Sequence, residues 1–373
     1  MREIHSLEDF DAIVERGSSL DGVIVQGVDL SSRSEVIAAL PCGGATFLGC
    51  SLGAVGIQAV VAGGAAVFPS LPSVPFNPYR PQLYQQGELL EGWVPGDAAS
   101  FDEHALDSRI YAWSARQARG QDIPVLDALA QRLHDHAIDN ALAEHLTQFP
   151  EVAAVMGGHS MKRTDPEFLM VAELGRGMAR AGWHVATGGG PGAMEAANLG
   201  AWLSNHPDEA LADAIDMLSI ETDFHHADAY LSAGNRVLER YPDGAQSLAV
   251  PTWFYGHEPT NQFATHVAKY FANSIREDGL LAIATRGVVF SPGAAGTTQE
   301  VFQDATQNHY AVYGTVSPMV FLDRTFWNQT LPAEPLLRTL AGDRPYAALI
   351  GSADTAAEAM EFLIAHPPIE VSP

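Results

Sequence analysis

The stretch Val288 to Glu300, VVFSPGAAGTTQE, decides the fold. It starts with a short run of β-branched and aromatic residues, which predicts a buried parallel strand. The small residues from Pro292 to Gly296 predict a tight turn, and Thr297 followed by Glu300 predicts a helix with a capping box. A helix start of this kind leaves backbone N–H groups bare and favours an anion such as phosphate. From this stretch alone, an ordinary capped turn is an equally good interpretation.

A second stretch of the same kind favours the phosphate interpretation. His184 to Gly200 reads HVATGGGPGAMEAANLG, which predicts a strand over 184–187, a glycine turn over 188–192 and a helix from Ala193. Two such units suit the two sides of one crevice at the carboxyl edge of a parallel sheet. The dinucleotide pattern G-x-G-x-x-G and the P-loop pattern are both absent from these stretches.

These two stretches resemble the motifs of the LONELY GUY (LOG) family. Gly188 to Glu195, GGGPGAME, is similar to the family's GGGxxGxM segment, and Pro292 to Glu300, PGAAGTTQE, is similar to its PGGxGTxxE motif. The resemblance spans roughly Glu151 to Phe326. It implies a Rossmann-like α/β fold with a doubly wound parallel sheet, and a homo-oligomer, either a dimer or a larger assembly. It also implies cleavage of a nucleoside 5′-monophosphate to free base and ribose 5-phosphate.

The resemblance carries specific residues into the site. Glu300 and Arg276 are the expected catalytic residues, because LOG proteins place an Arg-Lys pair on the helix before the PGGxGT strand. Here Arg276 is followed by Glu277, and Ala294 replaces the second glycine of the motif. The ligand contacts are expected from the loop after the first strand and from the two glycine turns, through Gly158, His159, Ser160, Gly189, Gly190, Gly192, Glu195, Pro292, Gly293, Ala294, Gly296 and Thr297.

The helix that carries Arg276 is predicted to run from Asn261 to Glu277. Its apolar residues Phe263, Val267, Phe271 and Ile275 recur in steps of four, which is typical of one buried helix face. This helix would bring Arg276 to the carboxyl ends of the strands. Cleavage of the N-glycosidic bond would then pass through an oxocarbenium-like ribose.

Composition limits the partners and the location. The 373 residues include 20 basic and 45 acidic ones, so the formal charge is 20 − 45 = −25, which argues against nucleic acid and anionic membranes as partners. No apolar run is long enough to cross a membrane. Cys42 and Cys50 lack metal-ligand spacing, and the start MREIHSLEDF is unlike a signal sequence. A cytoplasmic location is therefore expected.

Three regions are predicted along the chain. Residues 1–120 form an N-terminal accessory region with short strands and a proline-rich connector, residues 121–150 a helical linker, and residues 151–373 the LOG-like Rossmann domain. In the accessory region the pattern GxxΦxGxxL starts at Gly22 and recurs at Gly44, with a fainter copy near Val67. Such a repeat predicts a small stacked β unit. Ser6 is expected to cap a helix that ends near Arg16.

Other functions stay open at this point. A non-catalytic protein that binds or carries a nucleotide or a phosphorylated cofactor is the main alternative, because glutamate replaces the lysine of the Arg-Lys pair. A pyridoxal phosphate decarboxylase needs a Schiff-base lysine, and the chain has only Lys162 and Lys269. Lys162 and Arg163 are candidates for a phosphate contact, but solvated loop charges are the slightly favoured interpretation. We expect no cofactor. We also expect no metal, because the segment from His225 to Asp228 lacks a third ligand at helical spacing.

Overall fold

The computed structural model describes residues 2–17, 19–71, 73–118 and 123–371. They form two compact units: Met1–Leu83 with Arg116–Glu144, and Tyr84–Ala115 with His145–Pro373. The predicted boundary between residues 120 and 121 lies outside the described residues. Residues 84–115, expected in the accessory region, belong to the second unit, because their strand pairs with a strand of its sheet.

The first unit contains a parallel sheet interleaved with helices. Its elements up to residue 71 are β1 Arg2–Ile4, α1 Leu7–Glu15, β2 Val23–Gln26, α2 Ser34–Ala38, β3 Thr46–Leu48, α3 Ala54–Ala62 and β4 Ala66–Phe68. The four strands pair in the order β1-β2-β3-β4. Val25 pairs with Phe47, and Phe47 with Val67, so the sequence repeat marks equivalent positions on neighbouring strands. The repeated strands do lie side by side in one sheet, but helices α2 and α3 between them were not predicted. The Ser6 cap is confirmed, because its hydroxyl accepts from the Asp9 amide at 3.0 Å.

Three helices and one short strand lie between residues 84 and 146. They are β5 Tyr84–Gln85, α4 Ala98–His104, α5 Leu106–Ala118 and α6 Val125–Leu146. Helix α6 provides the helix expected in residues 121–150. Its packed face includes the buried residues Ala130, Ile138 and Leu142, whereas Leu126 and Leu129 near its start are exposed.

The remainder of the second unit alternates strands with helices. Its elements are β6 Val152–Met156, α7 Pro166–Arg180, β7 His184–Thr187, α8 Ala193–Trp202, α9 Glu209–Leu218, α10 Ala227–Arg240, β8 Ser247–Ala249, β9 His266–Val267, α11 Asn273–Ile283, β10 Gly287–Phe290, α12 Ala295–Tyr310, β11 Thr315–Val316, β12 Met319–Leu322, α13 Ala333–Ala341, β13 Ile350–Ala353, α14 Ala356–Ala365 and β14 Ile369–Glu370. No helix of the described chain has both the length and the apolar character needed to span a membrane.

The large sheet is Rossmann-like and doubly wound, as predicted. Its order is β13-β12-β10-β6-β7-β8-β9-β5, and every pair is parallel except β5 with β9. Helices α7, α8 and α14 pack together, and so do α11, α12 and α13. Every residue of β6, β7, β10 and β12 is buried, as expected of parallel strands that helices cover on both faces.

The helix predicted from Asn261 to Glu277 is wrong in its first half. Strand β9 occupies residues 266–267 between β8 and β5, and the helix begins only at Asn273. Phe263, Val267 and Phe271 are buried all the same. A spacing of four is an even number, so it also places residues on one face of an extended chain, whose side chains alternate. The apolar spacing was therefore compatible with both structures.

Candidate functional site

The site lies where the direction of strand order reverses in the large sheet. From the central strand β6 the chain continues to β7 and β8 on one side, whereas β10, β12 and β13 lie on the other. Phe290 at the end of β10 pairs with Met156 at the end of β6. Because the strands are parallel, the loops that follow them emerge at the same edge. In open α/β sheets this switch point is where ligands bind.

The loops after β6 and β10 are joined directly at this edge. The backbone amide of Gly158 donates to the carbonyl oxygen of Pro292 at 3.1 Å. A Cβ on Gly158 would lie 3.4 Å from the Cα of Gly293, so the two backbones are nearly in contact. His159 and Ser160 are exposed beside this contact. The predicted residues Gly158, His159, Ser160, Pro292 and Gly293 are thus brought together.

The start of α12 is open to solvent. Ala294, Ala295 and Gly296 are exposed, and no side chain caps the helix. No heavy atom lies within 4 Å of the position that a Cβ on Gly296 would take. Bare N–H groups at such a helix start attract an anion.

The predicted Thr297 cap is wrong. The helix begins at Ala295, so Thr297 lies inside its first turn, is buried, and has its hydroxyl oxygen against Gly293. Small residues let the chain enter the helix directly from the turn, and Thr297 and Glu300 consequently face inward. The Thr297 side chain packs against Gly293 on the buried side of the turn and does not accept from the N–H groups of the helix start.

The first glycine turn, Gly188–Gly192, is buried throughout. Gly189 and Gly192 have φ angles of 75° and 71°, which favour glycine. A Cβ on Gly189 would lie 2.9 Å from the Cβ of Ala249, and one on Gly192 would lie 2.5 Å from the Gly158 carbonyl oxygen. These glycines therefore allow close packing of the neighbouring loops. Only the turn at residues 292–296 is open at its surface.

Glu195 is engaged in a buried ion pair. Arg163 is 1% exposed and donates to both carboxylate oxygens of Glu195, at 2.5 and 3.0 Å. The Tyr230 hydroxyl donates to Glu195 at 2.5 Å, and burial together with that carboxylate raises the Tyr230 pKa well above its usual value. Arg163 is thus a buried structural cation, and its interpretation as a solvated loop charge is wrong. Glu195 stays a predicted ligand contact, although its oxygens already have partners.

The two predicted catalytic residues lie together below the open turn. The Nε of Arg276 donates to the carbonyl oxygen of Val250 at 2.8 Å, and its Nη1 lies 3.4 Å from a carboxylate oxygen of Glu300. Both residues are 9% exposed. Burial raises the pKa of Glu300 to about 7, although Arg276 opposes the shift. A carboxyl group with this pKa can either give or take a proton at neutral pH.

Glu277 does not take the place of the lysine in the family motif. It accepts from the Gln299 side chain at 2.6 Å and lies 4.0 Å from Nη1 of Arg276. The negative charge of Glu277 also contributes to the raised pKa of Glu300. Both carboxylates therefore share one guanidinium, which leaves the cluster with little positive charge to offer a phosphate.

Three residues near the site were not predicted: Phe254, Tyr255 and Glu258, in the loop after β8. Glu258 lies 3.7 Å from Nδ1 of His159 and close to the position of a Cβ on Gly190. The Tyr255 hydroxyl accepts from the Asn273 side chain at 3.0 Å. No motif marks these residues. The available signal was their place after a strand, at the sheet edge that carries the glycine turns.

The remaining candidate groups are engaged in other contacts. Lys269 forms a buried ion pair with Asp107 at 2.8 Å, so it is not available as a Schiff-base lysine. His225 pairs with Asp223, and Asp228 accepts from the indole N–H of Trp93. In the part of the chain that the structure describes, no group of three His, Cys, Asp or Glu residues is arranged to hold a metal ion.

The Arg163–Glu195 pair predicts a measurable structural role. Glu195→Gln leaves the guanidinium buried without a counter-charge, which should lower the free energy of unfolding by about 3–5 kcal/mol in denaturant titrations. The double variant Arg163→Met with Glu195→Gln should recover part of the loss. If Glu195→Gln keeps wild-type stability and loses only ligand affinity, the residue acts on the ligand as the family resemblance implies.

The raised pKa of Glu300 predicts a pH-dependent stability. The native carboxyl keeps its proton up to about pH 7, whereas the unfolded one releases it near 4.5, so this group lowers stability as the pH rises through that window. Glu300→Gln removes the effect. Relative to wild type, the variant should gain up to about 3 kcal/mol of unfolding free energy between pH 4.5 and pH 8. The exposed Glu361→Gln serves as the control, and parallel curves for all three proteins would contradict the assignment.

Comparison with known proteins gives matches to solved structures alone. No protein-family model and no curated protein matches the chain. The chain is similar to the molybdenum cofactor binding protein from the phototrophic bacterium Rippkaea orientalis, with 14% identity, 58% of this chain and 96% of the other covered, and a TM-score of 0.37. It is also similar to a Moco carrier protein from Chlamydomonas reinhardtii, with 19% identity, 58% and 98% covered, and a TM-score of 0.35. At these TM-scores the similarity carries no functional argument.

Proposed function

We propose that the second unit binds a phosphorylated, nucleotide-like ligand at the switch point between β6 and β10, either a nucleoside 5′-monophosphate or a phosphorylated cofactor. One observation carries the proposal. The exposed, uncapped start of α12 lies at the sheet edge where Gly158 and Pro292 join the two central loops. The helix start supplies N–H donors, and the exposed Ala294–Gly296 segment lets a phosphate approach them.

Charge at the edge favours the α12 side over the first glycine turn. The Glu258 carboxylate lies beside Gly190 and would repel a phosphate there. Near Gly296 the space is open. Since the chain carries a formal charge of −25, attraction has to come from this local helix start and not from the overall field. The phosphate is therefore assigned to Gly293–Gly296, and the remainder of the ligand to the adjoining loops.

The simplest function for this site is to bind and release a phosphorylated ligand without changing it chemically. The Arg276 guanidinium is held by Val250, Glu300 and Glu277, so the site offers a preformed cradle with little cationic charge. A carrier protein needs a preformed binding site of this kind and does not need a reactive group. The molybdenum cofactor is added to the test ligands only because two weakly similar structures are named as proteins that bind or carry it.

Hydrolysis of an N-glycosidic bond is the second candidate, and Glu300 favours it. Its pKa of about 7 suits a group that protonates a departing base or activates water. The contact with Arg276 fixes the orientation of the carboxyl group. The reaction would pass through an oxocarbenium-like ribose, which a nearby carboxylate stabilises. Glu300 and Arg276 match the residues that the LOG resemblance implies, although Glu277 and Ala294 depart from its motifs, so this activity is proposed on the same site.

A ligand panel tests the two candidates together. Purified protein is titrated by calorimetry with nucleoside 5′-monophosphates, the matching nucleosides, ribose 5-phosphate and the molybdenum cofactor, and each mixture is then analysed by chromatography for free base. Phosphate-dependent binding without release of base supports a carrier, and release of base supports the hydrolase. Equal affinity for nucleoside and nucleotide, or no binding of any phosphorylated compound, overturns the proposal.

Gly296 provides a direct test of phosphate placement. Gly296→Asp adds a negative charge over the helix start, where an acidic residue suits the dipole and leaves the fold intact. Affinity for a nucleoside monophosphate should fall at least ~10-fold, a loss of about 1.4 kcal/mol, while affinity for the nucleoside stays the same. Gly296→Asn, which adds a neutral side chain of the same size, is the matched control and should lose less monophosphate affinity than Gly296→Asp. An unchanged monophosphate affinity in Gly296→Asp would place the phosphate elsewhere.

Glu300 and Arg276 separate the two candidates. In a hydrolase, Glu300→Gln should reduce release of base by ~10²-fold or more while the monophosphate still binds. Arg276→Lys keeps the charge but loses the planar fork that contacts Val250 and Glu300, so it should also lower turnover more than affinity. Arg286→Lys, at the opposite end of β10, is the control. Wild-type turnover in Glu300→Gln would exclude Glu300 as a catalytic residue.

A further inference from the structure

We infer that Phe254 and Tyr255 form a stacking platform for a planar heterocyclic ring, so that the ligand carries an aromatic base or a comparable ring system beside its phosphate. This inference deepens the proposed function and rests on it. Phe254 is 63% exposed and Tyr255 is 67% exposed, and their rings contact each other edge to face with centroids 5.1 Å apart. Two adjacent exposed aromatic side chains at one sheet edge differ from the scattered single ones that are common on protein surfaces.

The pair is connected to the Arg276–Glu300 pair through the loop after β8 and the start of α11. Its loop follows β8 at the carboxyl edge, and it leaves the sheet through Val250, whose carbonyl oxygen holds Arg276. The Tyr255 hydroxyl is anchored by Asn273, the first residue of the helix that carries Arg276. Burial raises the pKa of that hydroxyl, and the Glu277 and Glu300 carboxylates contribute to the shift. Tyr255 thus lies within electrostatic range of the Arg276–Glu300 pair.

A buried group of polar contacts to Asp107 holds the loop that carries Phe254 and Tyr255. Asp107 is fully buried, and its carboxylate accepts from the Trp253 indole at 2.7 Å and from the Thr260 hydroxyl at 2.9 Å. Lys269 balances its charge at 2.8 Å. Trp253 and Thr260 flank residues 254–259, so both ends of the segment that carries the exposed Phe254 and Tyr255 are fixed to Asp107. A platform fixed in advance loses little conformational entropy when a ring stacks on it.

Stacking explains how the site gains affinity without added cations. Every base offers a π face, and stacking on an aromatic side chain raises affinity by roughly 10-fold or more per base. The guanidinium near the site is already engaged by Glu300 and Glu277. A planar ring stacked on the face of one of these two aromatic side chains, with the other at its edge, would therefore add binding energy to the phosphate contact at the α12 helix start. Purine nucleotides and ring-containing phosphorylated cofactors both have this chemistry.

The test compares two probes, adenosine 5′-monophosphate and ribose 5-phosphate, which differ by the ring alone. Phe254→Ala combined with Tyr255→Ala should weaken binding of the adenosine monophosphate by ~10-fold or more and change ribose 5-phosphate affinity less than twofold. Tyr255→Phe keeps the ring and should bind the nucleotide nearly as wild type does. Tyr313→Ala, an exposed aromatic residue beyond the far end of α12, is the control.

The possible outcomes are distinct. Unchanged nucleotide affinity in the double variant overturns the platform while the phosphate site stands. Equal loss of both probes shows a disturbed loop and also overturns it, and so does a change of oligomeric state in sedimentation, which would make the pair a subunit contact. If the wild-type protein binds neither probe, the proposed function fails and the platform fails with it. Selective loss of the nucleotide in the double variant alone supports stacking.

Discussion

The parallel pairing of β6 with β10 is the constraint on which the site depends. These strands lie next to each other in the sheet although they are far apart in the chain, and the strand order runs outward from them in both directions. Their loops must therefore leave at one edge, and small residues let them meet there, with the Gly158 amide bonded to Pro292. A larger side chain at Gly157 would collide with Ser291. The open start of α12 is a consequence of this close meeting.

Charge pairing inside the second unit determines what the site can offer a ligand. Three buried cations of this unit, Arg163, Lys269 and Arg276, are each matched with a carboxylate, because an unpaired charge is costly in a protein interior. None of the three is left over for an external phosphate. Backbone N–H groups and aromatic faces therefore supply the remaining attraction, and both suit a chain with a strong negative net charge.

The sequence was most informative where local pattern and tertiary structure agree. The run ending at Phe290, the small turn and the following helix identify the switch-point unit, and the strand over 184–187 and the helix from Ala193 lie where predicted. The helix from Asn261 failed because apolar steps of four fit a strand face as well. The Gly188–Gly192 turn matched a family motif, yet it is buried, because close backbone packing selects glycine as strongly as phosphate does. Tyr255 and Asp107 depend on contacts distant in sequence, which no local pattern reveals.

Glu300 and Asp304 show why burial does not by itself identify a functional carboxyl. They lie one turn apart on α12, and burial raises the pKa of both, that of Asp304 well above its ordinary value. Asp304 is 2% exposed and has Asn308 as a neighbour on its own helix, whereas Glu300 contacts Arg276 just below the open turn. Burial thus keeps the Asp304 carboxyl protonated in the core, whereas it leaves the Glu300 carboxyl able to titrate near neutral pH beside the sheet edge proposed to bind the ligand. Access and an orienting partner, more than the shifted pKa, make Glu300 the candidate for chemistry.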